Sequence, residues 1–211
     1  MIRRQFLQGS MGLGAMAQAP GSAPHSPAAY NVRSFGAAGD GEHLNTAGIQ
    51  AAIDACAKGG GGAVLFPAGR YLSGTIFLKS RVTLYLDAGA VLLGSRKLEH
   101  YPVTVPAFRS YTDNYTDKSL IYAENVEDIA IEGRGVIDGQ GAAFQGPYKV
   151  RPYMIRIIQC RNVSVTGVTM KDSPMWVQHY LACDGVTIRG LTVHSRVNHN
   201  NDGIDIDCCE R

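Results

Sequence analysis

The apolar residues of the N-terminal third change their spacing partway along the chain. Between positions 45 and 58 they recur three or four residues apart, at Ile49, Ile53 and Cys56. This spacing is typical of an amphipathic helix, which Asn45 or Thr46 caps and a run of glycines from Gly59 ends. After the glycines, apolar and polar residues alternate, which predicts short strands at 63–66, 75–78 and 82–86.

A short pattern then recurs three times, at residues 128–133, 162–167 and 185–190. Each copy alternates apolar and polar residues and ends in a glycine, and these glycines are 34 and 23 residues apart. A unit this small cannot bury its own apolar face. Stacking successive units in register buries this face, because it places Val163 and Val165 against Val186 and Ile188. The repeat therefore predicts a solenoid of parallel strands.

Three cysteines follow the same register. Cys160, Cys183 and Cys209 each stand two residues before the start of a repeat or the position equivalent to it. We interpret them as an interior column of buried thiols, although disulfides with one thiol left over are the alternative for five cysteines. In this register Arg211 occupies the position where the next strand begins. Residues 207–211 contain no capping unit, so the chain is expected to be truncated, with its C-terminal coils missing.

The first residues have the pattern of an export signal. Arg3 and Arg4 precede a weakly apolar run rich in Gly, Ala and Met. Residues 1–19 are therefore predicted to be a signal peptide for the twin-arginine export machinery, and residues 20–29 a linker. This predicts export to the periplasm or the exterior; a disordered start with two chance arginines is the alternative. No other segment has the roughly 20 apolar residues of a membrane span, so no membrane anchor is expected in the mature chain.

Composition changes this interpretation little. The 211 residues are 45% hydrophobic and 18% charged, which is typical of a globular domain and excludes general disorder. The net charge is +2, and two of the positive charges lie in the predicted signal. A nearly neutral mature chain offers no basic surface for nucleic acid.

Several motifs resemble a known family. Residues 31–41, 49–56 and 66–71 resemble the start of many pectinase-like β-helices, an opening shared with pectate-lyase-like proteins and phage tailspikes. Residues 74–80, 82–86, 89–95, 135–141 and 173–176 resemble polygalacturonases in particular. The resemblance implies an all-β, right-handed parallel β-helix over residues 30–211, with the helix capping the first coil. It also implies a hydrolase of pectic polysaccharide that uses no metal or organic cofactor.

The last motif carries the chemistry that the resemblance implies. Residues 200–205 resemble the family's Asn-Thr-Asp-Gly-x-Asp, with Asn201 in place of Thr. Asp202 then matches a catalytic aspartate that helps to activate the attacking water, and Asn200 and Asp205 bind substrate or support the site. The family's downstream Asp-Asp, Gly-His-Gly and Arg-x-Lys segments lie beyond Arg211. The general acid is thus absent, and this chain alone is expected to be inactive.

The alternation of side chains along a strand conflicts with a catalytic role for Asp202. If the strand runs straight through Gly203, Asp202 shares the inward face with Ile204, although glycine permits a local turn there. An Asp-Gly step is also common as a purely structural turn. Asp205 and Asp207 share one strand face roughly 6.6 Å apart, and we interpret them as solvated or as support for Asp202 rather than as an acid/base pair.

Other polar residues near the motif have weaker interpretations. His194 and His199 have no third ligand at suitable spacing, so no metal site is expected. Trp176 is placed either against a sugar ring or at a coil corner. Arg151 and Arg156 either pair with uronate carboxylates or are ordinary surface arginines.

Two other functions remain open at this point. A pectate-lyase-like enzyme typically needs Ca²⁺ and a basic residue near the scissile bond, and it yields unsaturated products. A non-catalytic carbohydrate-binding or structural β-helix binds pectin without turnover.

Overall fold

The computed structural model describes residues 29–111 and 115–211. The predicted signal peptide and residues 20–28 of the predicted linker lie outside the described residues. The helix and strands, in chain order, are β1 (Ala29–Asn31), β2 (Asp40–Leu44), α1 (Thr46–Lys58), β3 (Gly62–Phe66), β4 (Gly69–Ser73), β5 (Ile76–Phe77), β6 (Val82–Leu86), β7 (Ala90–Gly94), β8 (Ser119–Glu124), β9 (Glu127–Gly133), β10 (Val136–Asp138), β11 (Tyr153–Ile158), β12 (Arg161–Thr166), β13 (Thr169–Lys171), β14 (Gln178–Leu181), β15 (Asp184–Arg189), β16 (Thr192–His194) and β17 (Asp205–Asp207).

The strands form three sheets, and the chain passes through them in turn. The first sheet has the order β1-β3-β6-β9-β12-β15, the second β2-β4-β7-β10-β13-β16, and the third β5-β8-β11-β14-β17. The strand pairs are parallel throughout. Each coil after the first contributes one strand to each sheet, so the molecule is a parallel β-helix, as the repeat predicts.

Helix α1 closes the first coil. It follows β2 of the second sheet and precedes β3 of the first, so it takes the place that a strand of the third sheet has in later coils. Its buried face consists of Ile49, Ala52, Ile53 and Cys56, which confirms the predicted amphipathic pattern. Asn45 stands at the N-cap, but its side chain makes no bond to the helix. Instead, Asn45 Oδ1 accepts from the Ala38 N–H at 2.6 Å.

The register within the first sheet also agrees with the prediction. Val163 pairs with Val186 and Val165 with Ile188, so identical faces stack from coil to coil. The corners are left-handed turns: Gly133, Gly167 and Gly190 all have positive φ. A second column of positive φ precedes or opens the first-sheet strands, at Arg81, Asp128, Asn162, Gly185 and Arg211. Coil after coil, the same two corners set the strand register.

The cysteines form the predicted interior column. The Asp184 N–H donates to the carbonyl of Cys160 at 2.9 Å, and the Glu210 N–H donates to that of Cys183 at 2.8 Å. All five cysteines of the chain are free thiols, so the disulfide alternative is not realised. Burial is the main cause that raises the pKa of Cys160 to about 11 and that of Cys183 to about 12.

The last coil has an exposed apolar face. Ile206 is paired in register with the fully buried Tyr180, yet it is 59% exposed, and Ile204 is 46% exposed. The Val186 N–H donates to the Arg211 carbonyl at 2.9 Å, which places Arg211 at the start of a first-sheet strand, as predicted. Among the described residues, no helix has the length and apolar character needed to cross a membrane.

Candidate functional site

Asp202 lies just before β17, at the edge of the third sheet in the last coil. Its side chain is exposed, and its carbonyl accepts from the Val177 N–H at 2.8 Å. One coil earlier, the Met154 N–H donates to the Trp176 carbonyl at 3.2 Å, which makes Trp176 the equivalent of Asp202 in the preceding coil. Asp202 therefore stands directly above Trp176 in the stack of coils.

A bend that precedes both β11 and β14 resolves the difficulty with strand geometry. Met154 and Ile155 donate their N–H groups to the successive carbonyls of Trp176 and Val177. In a straight strand, consecutive amides point to opposite sides, so the chain must turn at this level. Met154, Ile155 and Val177 are all fully buried. Two consecutive inward positions thus leave Trp176, and Asp202 above it, on the outer surface.

The bend does not depend on the glycine of the motif. Gly203 does not have a positive φ, and a Cβ built on it would meet only Val193, at 4.0 Å. The same bend recurs in earlier coils, at Met154 and Ile155, where there is no glycine. The prediction that glycine allows the turn is therefore correct in outcome but wrong in cause.

The loop that carries Asp202 is anchored by asparagine side chains. Asn201 Nδ2 donates to the Ser173 carbonyl at 2.8 Å and to the Met175 carbonyl at 3.1 Å, while its Oδ1 accepts from the Asn198 N–H at 3.1 Å. Asn198 Nδ2 in turn donates to the Gly141 carbonyl at 2.7 Å. Asn201, which replaces the family's threonine, is therefore the principal anchor of this loop.

Two of the sequence motifs meet beneath this loop. A Cβ built on Gly141 would stand 2.5 Å from the Ser173 carbonyl oxygen, so the 135–141 segment approaches the 173–176 segment in a way that only glycine permits. Both segments accept hydrogen bonds from the Asp202 loop. Their pattern in the sequence thus reflects one shared task, which is to support residues 198–202.

Asn200 and Asp205 differ in their environments. Asn200 is exposed and has a φ of 56°. Asp205 is half-buried and pairs in register with His179, which is itself buried. Their assignment to substrate binding or site support stays a prediction.

Neighbouring hydrogen-bond donors favour the ionised form of Asp207. Hydrogen bonds from the side chains of Ser110 and Cys208 lower the pKa of this carboxyl, and His179 adds a smaller effect in the same direction. The carboxyl is half-buried rather than freely solvated. A carboxyl whose pKa is lowered is poorly suited to donate a proton to a leaving group.

The arginines are not surface residues. Arg151 is buried and donates through Nη1 to the His199 carbonyl at 2.7 Å. Arg156 is only 2% exposed and donates to the Thr116 carbonyl at 2.9 Å, and its guanidinium lies 5.0 Å from the ring centroid of Tyr153. The surface interpretation is therefore wrong for both arginines, because their side chains are buried and tie separate loops to the third sheet. Pairing with uronate carboxylates stays a prediction.

Trp176 belongs to an aromatic cluster. Its ring centroid lies 5.3 Å from Tyr115, 5.6 Å from Tyr153 and 5.3 Å from His179. The ring is half-buried, so the packing interpretation accounts for most of its surface. In the described part of the chain, no group of three or more His, Cys, Asp or Glu residues is arranged to hold a metal ion.

Sequence reasoning missed the segment that lies over this sheet. Residues 101–111 and 115–118, here called the covering segment, include Ser110, Tyr115 and Thr116, which contact Asp207, Trp176 and Arg156 respectively. The available signal was the long interval between β7 and β8, which has several tyrosines and no strand pattern.

Comparisons with known proteins agree with this fold. The model of the family described as glycosyl hydrolases family 28 matches residues 56–211. A protein of Vitis vinifera named "Probable polygalacturonase" is 37% identical over 192 residues, which cover 83% of this chain and 39% of that protein. The family 28 exopolygalacturonase of Yersinia enterocolitica superposes with a TM-score of 0.73 at 28% identity, covering 85% of this chain and 41% of that one.

A relative with a different described role is also similar. The plasmin and fibronectin-binding protein A of Streptococcus pneumoniae is 36% identical over 154 residues, which cover 69% of this chain and 21% of that protein. The chain therefore spans less than half of the length of each of these three proteins.

Proposed function

Because this chain belongs to glycosyl hydrolase family 28, we propose that the protein hydrolyses α-linked galacturonan or a related pectic chain with inversion, and that Asp202 helps to activate the attacking water. The observation that carries the proposal is the position of Asp202. It is an exposed carboxyl on the outer surface of the last coil, and its loop is fixed by three hydrogen bonds to Asn201. A base must be held in place in this way to act on a positioned water.

Inversion also requires a carboxylic acid about 6.5 to 9.5 Å from the base. Asp207 is a poor choice, since neighbouring donors lower its pKa. We therefore assign the general acid to a carboxyl in a further coil, as in the family motif, and expect the 211-residue chain by itself to be inactive. Release of reducing ends from polygalacturonate by the purified 211-residue chain would contradict this part of the proposal.

The test uses the protein expressed from its complete coding region, with polygalacturonate as substrate. Asp202→Asn is expected to lower the rate of reducing-end release by roughly 10²- to 10⁴-fold. Asp87→Asn changes an exposed carboxyl at the corner between β6 and β7, several coils before Asp202, and serves as the matched control. NMR of the first product should show the inverted anomer. Equal activity in both variants would remove Asp202 from the reaction.

A second function is supported by the similarity to the pneumococcal binding protein. In that case the protein binds pectin or another polymer without turnover. Retention on immobilised polygalacturonate, with neither reducing ends nor unsaturated products, would favour this binding role. Calcium-dependent unsaturated products would instead favour a lyase.

We also propose that the protein is exported through the twin-arginine machinery, on the basis of Arg3, Arg4 and the apolar run that follows them. Replacing both arginines by lysine should retain the protein in the cytoplasm of a cell that has this machinery. Unchanged export of the double variant would refute the assignment.

A further inference from the structure

A polar cavity lies at the carboxyl ends of β7, β10 and β13 in the second sheet. Its volume is about 410 Å³, which is typical of a small-molecule site. Its lining consists of Arg96, Asp138, Gln140, Ala142, Ala143 and Asp172. Asp202, by contrast, precedes β17 of the third sheet, so the cavity is separate from the candidate base.

The Arg96 guanidinium is braced in this cavity by one neighbour. Its Nε donates to Gln140 Oε1 at 2.9 Å, and Gln140 Nε2 donates to the Gly94 carbonyl at 2.5 Å. Both polar atoms of the Gln140 side chain are thus occupied in holding the guanidinium. Within the described residues, no carboxylate pairs with Arg96, and its two terminal nitrogens have no acceptor. Four of the five N–H donors of this side chain are therefore open to a ligand.

Two carboxylates stand in the same cavity and have unused acceptor positions. Asp138 Oδ1 accepts from the Gln140 N–H at 2.9 Å. Lys171 Nζ lies 3.8 Å from Asp138 Oδ2 and 3.5 Å from Asp172 Oδ2. The side chains of Asp138 and Asp172 are 16% and 29% exposed, so both are partly buried. Since a carboxylate has about four acceptor positions, most positions of this pair are open to a ligand.

The charges around the cavity select the class of ligand. Arg96 and Lys171 balance Asp138 and Asp172, so a uronate or phosphate would meet two carboxylates and a metal ion would meet two cations. A sugar hydroxyl both donates and accepts hydrogen bonds. Neighbouring hydroxyls of one neutral ring can therefore accept from Arg96 and donate to the two carboxylates, and the two alanines of the lining leave room for that ring.

This cavity lies on the same corner of the coil as Asp202. Asp172 and Asp202 both stand between a second-sheet strand and a third-sheet strand, in successive coils. Ser173, next to Asp172 in the chain, accepts a hydrogen bond from Asn201 at 2.8 Å through its carbonyl. A polymer with one sugar unit in the cavity is therefore held close to the loop that carries Asp202.

We propose that this cavity binds a neutral sugar unit of a polysaccharide, with Arg96 as the principal donor and with Asp138 and Asp172 as acceptors. The site takes no part in bond cleavage. Its role is to hold a polymer that carries neutral sugars beside the Asp202 loop. The proposal does not depend on hydrolysis, because binding is measured with sugars that the protein does not have to cleave.

The test is a titration of the full-length protein with D-galactose, D-xylose and L-rhamnose, followed by saturation-transfer NMR of each sugar. At least one of them is expected to bind with a Kd that is roughly millimolar, as is usual for so small a ligand. Neither D-galacturonate nor Ca²⁺ should displace the bound sugar. Absence of binding by all three sugars, or displacement by D-galacturonate or Ca²⁺ at equal concentration, would overturn the proposal.

Variants of the lining locate the bound sugar. Arg96→Ala removes the open donors and should weaken binding roughly 10- to 100-fold. Asp172→Asn keeps the shape of the side chain and tolerates the φ of 47°, but it removes one acceptor and should weaken binding several-fold. Lys97→Ala is the matched control, because it removes the same charge from an exposed neighbour that does not line the cavity. Equal affinity in Arg96→Ala and Lys97→Ala would contradict the proposal.

Activity separates this proposal from the hydrolase function. Release of reducing ends from unbranched polygalacturonate should be unchanged in Arg96→Ala, because that substrate carries no neutral sugar. If the unaltered protein releases no reducing ends but binds a neutral sugar through Arg96, the hydrolase function fails and the sugar site stands. If it releases reducing ends but binds no neutral sugar, the opposite holds.

Discussion

Asn201 offers a direct test of how the Asp202 loop is held. Asn201→Ala removes two donor bonds to the carbonyls of Ser173 and Met175, and one acceptor bond from the Asn198 N–H. Ser173 and Met175 are fully buried, so their carbonyls lose a partner that water replaces poorly. With about 1 kcal/mol for each bond and more for a buried group left unpaired, the loop should lose about 2 to 4 kcal/mol of anchoring free energy.

Hydrogen exchange measures this loss at the loop itself. The Val177 N–H, which donates to the Asp202 carbonyl, and the Asn198 N–H report whether the loop is closed. Because 1.4 kcal/mol corresponds to a factor of ten, both amides should exchange about 30- to 1000-fold faster in Asn201→Ala. Asn201→Thr keeps only one hydroxyl donor, so the exchange rates of both amides in this variant should fall between those of the unaltered protein and those of Asn201→Ala.

Asn200→Gly is the matched control. Asn200 is exposed, and glycine readily adopts its φ of 56°, so exchange at Val177 and Asn198 should be unchanged. The anchoring role of Asn201 is refuted if the exchange rates of both amides in Asn201→Ala stay within a few-fold of those in the unaltered protein. It is also refuted if Asn200→Gly accelerates exchange to the same extent.

Three further predictions follow from the contacts described above. Gly141→Ala should lower the melting temperature, since its Cβ would stand 2.5 Å from a carbonyl oxygen, whereas Gly203→Ala should be neutral in a thermal melt because its Cβ has no neighbour closer than 4.0 Å. Iodoacetamide at pH 8 should label the exposed Cys208 of the native protein but not the buried Cys183, as checked by mass spectrometry. Rapid labelling of Cys183 would contradict its place in the interior column of buried cysteines. The lowered pKa of Asp207 adds stability above the carboxyl's unfolded pKa that is lost as the pH falls through the folded value, so Asp207→Asn should flatten the acid side of the stability profile, and an unchanged slope would contradict the hydrogen bonds assigned to it.

The sequence by itself determined the coil. Alternating apolar residues and glycine corners specify which face of each strand is buried and where each strand ends, because a shift of one residue would expose the whole apolar set. For this reason the pairing of Val163 with Val186, the column from Cys160 to Cys209 and the buried face of α1 were all predictable. The motif resemblance likewise singled out Asp202 as the candidate base.

Only the tertiary structure decided what surrounds Asp202. The Arg156 bond to Thr116 and the Ser110 bond to Asp207 join residues that are far apart in the chain, and no local periodicity encodes such contacts. The bend that turns Asp202 outward is set by hydrogen bonds to the preceding coil, rather than by Gly203. Burial of a polar side chain depends on which distant segment folds over it, and that is a property of the packed molecule rather than of its local pattern.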